Sequence, residues 1–184
     1  MNLQNRLHDM TLDAHIQPGQ LPDLDLYMDQ VIQLFEKTFA GLKREEKEKI
    51  MTKTMINNYA KGGLLLPVKN KRYTKEHVML IGLIYEMKGS LALKDVKKTL
   101  EQARISQPES DTDLNVFYEQ FLERAEQETE AVRQSIQNQA KVAEKAVEKA
   151  ADPYVQQVLL ILSLLHQSNL YRRAAENLID DLPG

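Results

Sequence analysis

The stretch TKTMINNYAKGGLLLPVKNKRY, residues 52–73, puts a short helix, a stop and a basic turn in immediate succession. Thr52 has the side chain of an N-cap, because its hydroxyl can accept from an orphan N–H of the first helical turn. Met55, Ile56 and Tyr59 recur at helical spacing and predict a core-facing stripe. Thr54, Asn57, Asn58 and Lys61 fall on the other faces, so that surface offers hydroxyls, amides and an ammonium but no carboxylate. Gly62 and Gly63 supply the C-terminal stop, since glycine adopts the left-handed conformation without steric cost. Leu64, Leu65 and Leu66 follow, and Pro67 forbids a return to helix. Lys69-Asn70-Lys71-Arg72 makes a cationic turn before Tyr73, with extended chain expected on both sides of it.

Such an arrangement suits a helix lying in a DNA major groove beside a basic wing that grips phosphate. Short polar side chains on such a helix reach base edges, and its N-terminus attracts phosphate. The phosphate contacts expected are Lys53, Lys61, Lys69, Lys71, Arg72 and Tyr59. Thr54, Asn57 and Asn58 are the expected base contacts, and Thr52, Asn70 and Tyr73 complete the candidate surface. A plainer reading stands beside this one: a capped helix before a hairpin is common, and lysines at a turn are usually only solvated.

The same residues carry a resemblance. Thr52 as cap, Tyr59 on the helix, Gly63-Leu64-Leu65 with Pro67, and then Lys71, Tyr73 and Thr74 resemble the winged helix-turn-helix of the MerR regulator family. Two helix patterns, Lys75 to Lys88 and Leu93 to Ala103, match the helix pair after that family's wing. The similarity covers roughly residues 24–103 and extends to an uncharacterised bacterial group of MerR-related, DNA-binding-type proteins. It implies a DNA-binding domain with a small β wing. Two positions depart from the family pattern. Asn57 stands where an arginine is usual two residues before the tyrosine, and Lys71 stands at the wing arginine, where a bidentate fork becomes a point charge.

Charge distribution agrees with a basic module between acidic flanks. The chain has 184 residues and a net charge of −3. Residues 43–104 hold 15 Lys/Arg against 7 Asp/Glu, a local +8, whereas residues 113–182 hold 7 against 12 and residues 1–42 hold 2 against 6. That segregation is the electrostatic footprint of a nucleic-acid-binding segment attached to something else. Lys/Glu-rich helices can also segregate charge without such a role. Cysteine is absent, which excludes disulfides and thiolate metal sites and suits a reducing cytoplasm. The N-terminus shows no apolar signal core, and the longest apolar run, Val158 to Leu165, is broken by Ser163 and too short to span a bilayer.

The predicted organisation is mostly α: an N-terminal arm (1–22), a winged helix-turn-helix domain (23–103), a linker (104–112) and a helical domain forming a long-helix hairpin or bundle (113–184). In the arm, Pro18-Gly19 and Pro22 interrupt any helix, so a short helix or a flexible arm is expected, free to pack on a partner subunit. His8 and His15 are isolated there and predict no metal site. Asp23 or Asp25 should cap a helix running to about Ala40, with Leu26, Val31, Leu34, Phe35, Thr38 and Phe39 as its stripe. Gly41 stops it, and Lys43 to Lys49 (KREEKEK) reads as a solvated connection longer than a tight helix-turn-helix joint. Thr74 should cap the apolar helix of Val78, Met79, Ile81, Leu83, Ile84 and Met87, in which Gly82 allows close approach. His77 in its first turn reads as a surface histidine.

Asp113 should cap a helix extending to about Ala150, with Leu114, Tyr118, Phe121, Ala125, Val132, Ile136, Ala143 and Val147 at near-heptad spacing. Asp152-Pro153 opens another, to about Leu182, apolar on nearly every side between Val155 and Leu165. An element apolar all round belongs inside a bundle or an oligomer interface, which implies a homodimer through these helices.

Signatures of catalysis are missing: there is no glycine-rich phosphate loop, no Gly-x-Ser-x-Gly and no His-Glu-x-x-His, and His166 reads as a hydrogen-bonded core residue. The expected function is therefore a non-enzymatic, cytoplasmic transcriptional regulator, homodimeric, bound to a pseudo-palindromic double-stranded DNA site, without cofactor, metal or membrane contact. Two alternatives remain open at this point: a helical protein-interaction module that kept the fold without binding DNA, and a sensor whose apolar C-terminal helices hold a small-molecule effector.

Overall fold

The apolar run VMLIGLI at residues 78–84 becomes the helix on which most other elements pack. In this computed structural model residues 10–102, 113–146 and 153–183 are described. Among them the chain forms strand β1 (Leu26–Tyr27), helices α1 (Met28–Thr38) and α2 (Lys53–Lys61), strand β2 (Arg72–Tyr73), and helices α3 (Lys75–Lys88), α4 (Leu93–Gln102), α5 (Leu114–Ala146) and α6 (Pro153–Asp180). Two short 3-10 turns, Pro18–Gln20 and Ala40–Leu42, interrupt the connections. The protein is thus mostly helical with one small antiparallel sheet.

Helix α3 buries residues around most of its circumference, from His77 to Ile81 and again at Leu83 and Ile84. Val31 and Phe35 of α1, Ile56 and Tyr59 of α2, Val96 and Leu100 of α4, and Leu114 and Tyr118 of α5 share the same core. Gly82 leaves room for α5: a Cβ there would stand 3.1 Å from the Tyr118 hydroxyl. That hydroxyl donates to the carbonyl of Ile16 at 2.9 Å, and Ile16 has no exposed surface. The segment before β1 therefore packs against its own chain, where the sequence suggested a partner. Thr129 Oγ1 donates to Asp13 at 3.0 Å, tying that segment to α5 a second time.

Several local expectations change. The first helix begins at Met28, and Gln30 Oε1 accepts the Tyr27 amide at 2.8 Å. Asp23 does not cap it but pairs with Lys75 at 2.7 Å. Leu26 and Tyr27 are extended because they pair with Tyr73 and Arg72, respectively. The basic turn consequently joins a sheet made with distant residues, and Leu64 to Val68 forms no strand. Thr74 occupies the N-cap of α3, but its hydroxyl turns to Glu76, and His77 Nδ1 accepts the Thr74 amide instead.

Helices α5 and α6 form an antiparallel hairpin with a thin apolar seam of Ala140, Leu160 and Leu164. Beside it Gln139 bridges to Gln167 at 3.0 Å and accepts from Ser163 at 3.1 Å. The end of α6 returns to the main core: Ile179 is buried, and Lys98 Nζ of α4 donates to its carbonyl at 2.8 Å, a cation placed at a helix C-terminus. Among residues 155–165 only Leu160 is buried; Val155, Val158, Leu159, Ile161, Leu162 and Leu165 are exposed. His166 is likewise exposed and is no core residue. The expected linker 104–112, the residues beyond Ala146 up to Asp152 and the first nine residues of the arm, His8 included, lie outside the described residues. No helix among the described residues is long and apolar enough to cross a membrane.

Candidate nucleic-acid interface

Helix α2 is held at both ends by the means its sequence suggested. Thr52 Oγ1 accepts the Met55 amide at 3.2 Å. At the other end Gly63 adopts φ +70°, and the Leu64 amide reaches back to the Tyr59 carbonyl at 3.0 Å. Ile56 and Tyr59 are buried, which turns Thr54, Asn57, Asn58 and Lys61 outward into solvent.

The approach to α2 is set by Glu36 on α1, a residue no local pattern singled out. Its Oε2 pairs with Lys43 at 2.6 Å, while Oε1 accepts the Ile50 amide at 2.9 Å. Hydrogen bonding from Lys43 holds the carboxyl below the ordinary range against a burial effect that raises it, with the Ile50 and Met51 amides assisting. The charged run Arg44 to Lys49 is exposed, but the loop containing it is pinned at both ends.

The basic turn closes tightly. Arg72 N–H donates to the Lys69 carbonyl at 2.9 Å, and Asn70 and Lys71 adopt φ +51° and +57°. Two successive left-handed residues are what a type I′ turn requires; asparagine tolerates the conformation and lysine does so at a cost. Lys69, Asn70 and Lys71 are exposed. Lys61, Lys69 and Lys71 make no ion pair among the described residues, whereas Lys53 pairs with Asp29 at 2.8 Å with both groups well solvated.

Four members of the expected contact set are drawn partly or wholly into the fold. Tyr59 is 3% exposed, and its hydroxyl is enclosed without a hydrogen bond; burial pushes its pKa up to about 12. Tyr73 is 5% exposed and packs edge-on against His77. The Tyr59 hydroxyl is closed off from phosphate, and Tyr73 offers little surface. Both are large apolar bodies between α3 and the surface elements, and helical or strand spacing turned them inward. Arg72 is half-buried: its guanidinium stacks 3.8 Å over the Tyr27 ring and donates to the Asp25 carbonyl. Its charge reinforces the sheet more than the surface. Thr52, spent as a cap, is also half-buried.

His77 lies inside the fold and not on its surface. It is 4% exposed, with Nδ1 accepting from Thr74 and Nε2 donating to the Leu66 carbonyl at 3.2 Å. It thereby locks the α3 N-terminus to the segment leading into the turn. What remains outward is a surface of short polar side chains on α2 and a rigid basic turn.

A family model described as a domain of unknown function, DUF1836, matches residues 16–121. Those limits run from the buried Ile16 to Phe121, which packs against the main core and so takes in the segment before β1 and the first turns of α5. No curated protein matches the chain. No solved structure matches it.

Proposed function

We propose that this chain, which belongs to the DUF1836 family, is a homodimeric transcriptional regulator that binds double-stranded DNA through α2 and the turn at residues 69–72. In this reading the unit from β1 to α4 works as a MerR-like winged helix-turn-helix: α2 enters the major groove and the turn lies along a phosphate backbone. One observation carries it: Thr54, Asn57, Asn58 and Lys61 project together from a capped helix, with no carboxylate among them, while Lys69 and Lys71 stand on a strained turn. Strain kept at Lys71 by the surrounding sheet supports a functional rather than incidental turn. The contact set is accordingly Lys53, Thr54, Asn57, Asn58, Lys61, Lys69, Asn70 and Lys71.

Dimerisation is supported by α6. Val155, Val158, Leu162 and Leu165 follow three-four spacing and are 41–57% exposed, on the side away from the α5 seam. A second copy related by a twofold axis would cover that row and present two α2 helices to successive major grooves.

Salt-dependent binding to duplex fragments selected from genomic DNA tests the reading. Joint replacement of Lys69 and Lys71 by Ala should weaken all sequences alike and flatten the salt slope by about two phosphate contacts. Absence of duplex binding by the wild type at low salt rejects it and favours an interaction module using the α6 row. Among the described residues, a groove of about 670 Å3 between α5 and α6, lined by Gln134, Asn138, Gln139, Leu159 and Ser163, would suit a small-molecule effector.

A further inference from the structure

Asp13 and His15 lie on the segment before β1, and Glu86 lies near the end of α3; folding brings their ligand atoms within 4.8 Å of one another. His15 Nε2 is enclosed and stands 2.9 Å from Asp13 Oδ1, yet makes no hydrogen bond. An imidazole nitrogen and a carboxylate oxygen this close are bridged either by a proton or by a cation that binds both. We propose that Asp13, His15 and Glu86 form a site for one divalent first-row metal ion such as Zn2+ or Mn2+.

The geometry fits. Bonds of about 2.0–2.2 Å from nitrogen and oxygen to such an ion set neighbouring ligand atoms roughly 3–3.5 Å apart. One imidazole and two carboxylates suit intermediate ions better than soft ones, and two negative charges balance a dication. The ligands are also oriented from behind. Thr129 Oγ1 donates to Asp13 Oδ2, which leaves Oδ1 for His15. Phe121 meets the His15 ring edge-to-face at 5.1 Å, and the Tyr118–Ile16 hydrogen bond stops the segment from sliding. Such supporting contacts are typical of built metal sites. Glu86 is exposed and gives access from solvent. A cleft of about 750 Å3 opens beside Asp13 and His15, and Glu123, Glu126 and Glu130 outnumber Arg133 in its lining, so the local field favours cations.

The bound ion would join the segment before β1 to α3 at the point where α5 packs, independently of whether the protein binds DNA. The test uses the full chain after chelation and dialysis. Titration calorimetry and thermal unfolding with zinc chloride or manganese chloride should show one ion per chain and a rise in Tm. Glu86→Gln, at an exposed position, and His15→Gln should each weaken binding about 10–100-fold, while Glu126→Gln should bind as the wild type does. Absence of saturable binding overturns the proposal, as does equal binding by wild type and Glu86→Gln.

Discussion

His77 Nε2 donates to the carbonyl oxygen of Leu66 at 3.2 Å, across the gap between α3 and the entry to the basic turn. Since Nδ1 accepts the Thr74 amide, the ring is neutral in the fold. Burial lowers its pKa, against smaller opposing effects from the Leu66 carbonyl, Glu76 and Asp25. In the unfolded chain the imidazole takes up a proton near its ordinary pKa of about 6.5, whereas in the fold it does so only at lower pH. Its contribution is therefore complete above that value and fades as pH falls through it, by at most about 1.4 kcal/mol per pH unit. Chemical denaturation at a series of pH values should show this loss, and His77→Gln should remove most of the slope between about pH 7 and 5.

Glu36 organises the connection between α1 and α2 through Lys43 and two backbone amides. Ile50 and Met51 are buried, so their N–H groups lose their acceptor if the carboxylate is removed. Glu36→Ala should cost about 1–3 kcal/mol. Glu36→Gln should cost less, since one oxygen still accepts. The lowered pKa of Glu36 also makes its contribution fade as pH falls below the ordinary carboxylate range. Urea midpoints at neutral and acid pH check both statements.

Tyr59→Phe separates a core role from a contact role. The buried hydroxyl has no hydrogen-bond partner, so its removal should leave stability unchanged or raise it by up to about 1 kcal/mol. Duplex affinity should not move. A clear loss of affinity at unchanged stability would contradict the buried placement of this ring.

The boundaries of α2, α3 and α4 were legible because caps, glycine stops and 3.6-residue periodicity act within a few residues. Thr52, Gly63 and the stripe of Ile56 and Tyr59 say where α2 starts, ends and faces. The sheet was hidden for the opposite reason. Leu26 and Tyr27 are extended only because Tyr73 and Arg72 pair with them, and two-residue strands carry no pattern of their own. Roles that depend on a distant partner were equally invisible: His77 with Leu66, Glu36 with Ile50, Asp13 and His15 with Glu86. The candidate surface was readable as a set of residue types. Which of them point outward depended on the same periodicity that buried Tyr59, applied to the whole helix.

Asn57 occupies the outward face of α2 where the MerR-like pattern has an arginine. If that face meets DNA, Asn57→Arg adds a cation next to phosphate. Affinity for all duplexes should rise, and the slope of log K against log salt should steepen by about 0.9 per new phosphate contact. Discrimination between sequences should fall at the position Asn57 reads, because an amide that pairs with adenine is lost. Anisotropy titrations at several salt concentrations measure both effects. No change in slope would place Asn57 away from the backbone.

The row of Val155, Val158, Leu162 and Leu165 leaves large side chains in water along α6. Burying a leucine stabilises by roughly 1.5–3 kcal/mol, so one such residue is worth about ten- to a hundred-fold in an association constant, and a row of four decides it. In the proposed dimer, glutamate at two adjacent positions of the row would put like charges across the twofold axis and leave them desolvated. Leu162→Glu with Leu165→Glu should convert a dimer to a monomer in analytical ultracentrifugation, and the concentration dependence of Tm should vanish with it. The main core around α3 lies apart from these positions, so far-UV circular dichroism of the variant should keep its helical form. Duplex affinity should fall steeply for a two-half-site fragment and little for a single half-site, since each chain retains its α2 surface while the avidity of a paired arrangement is lost.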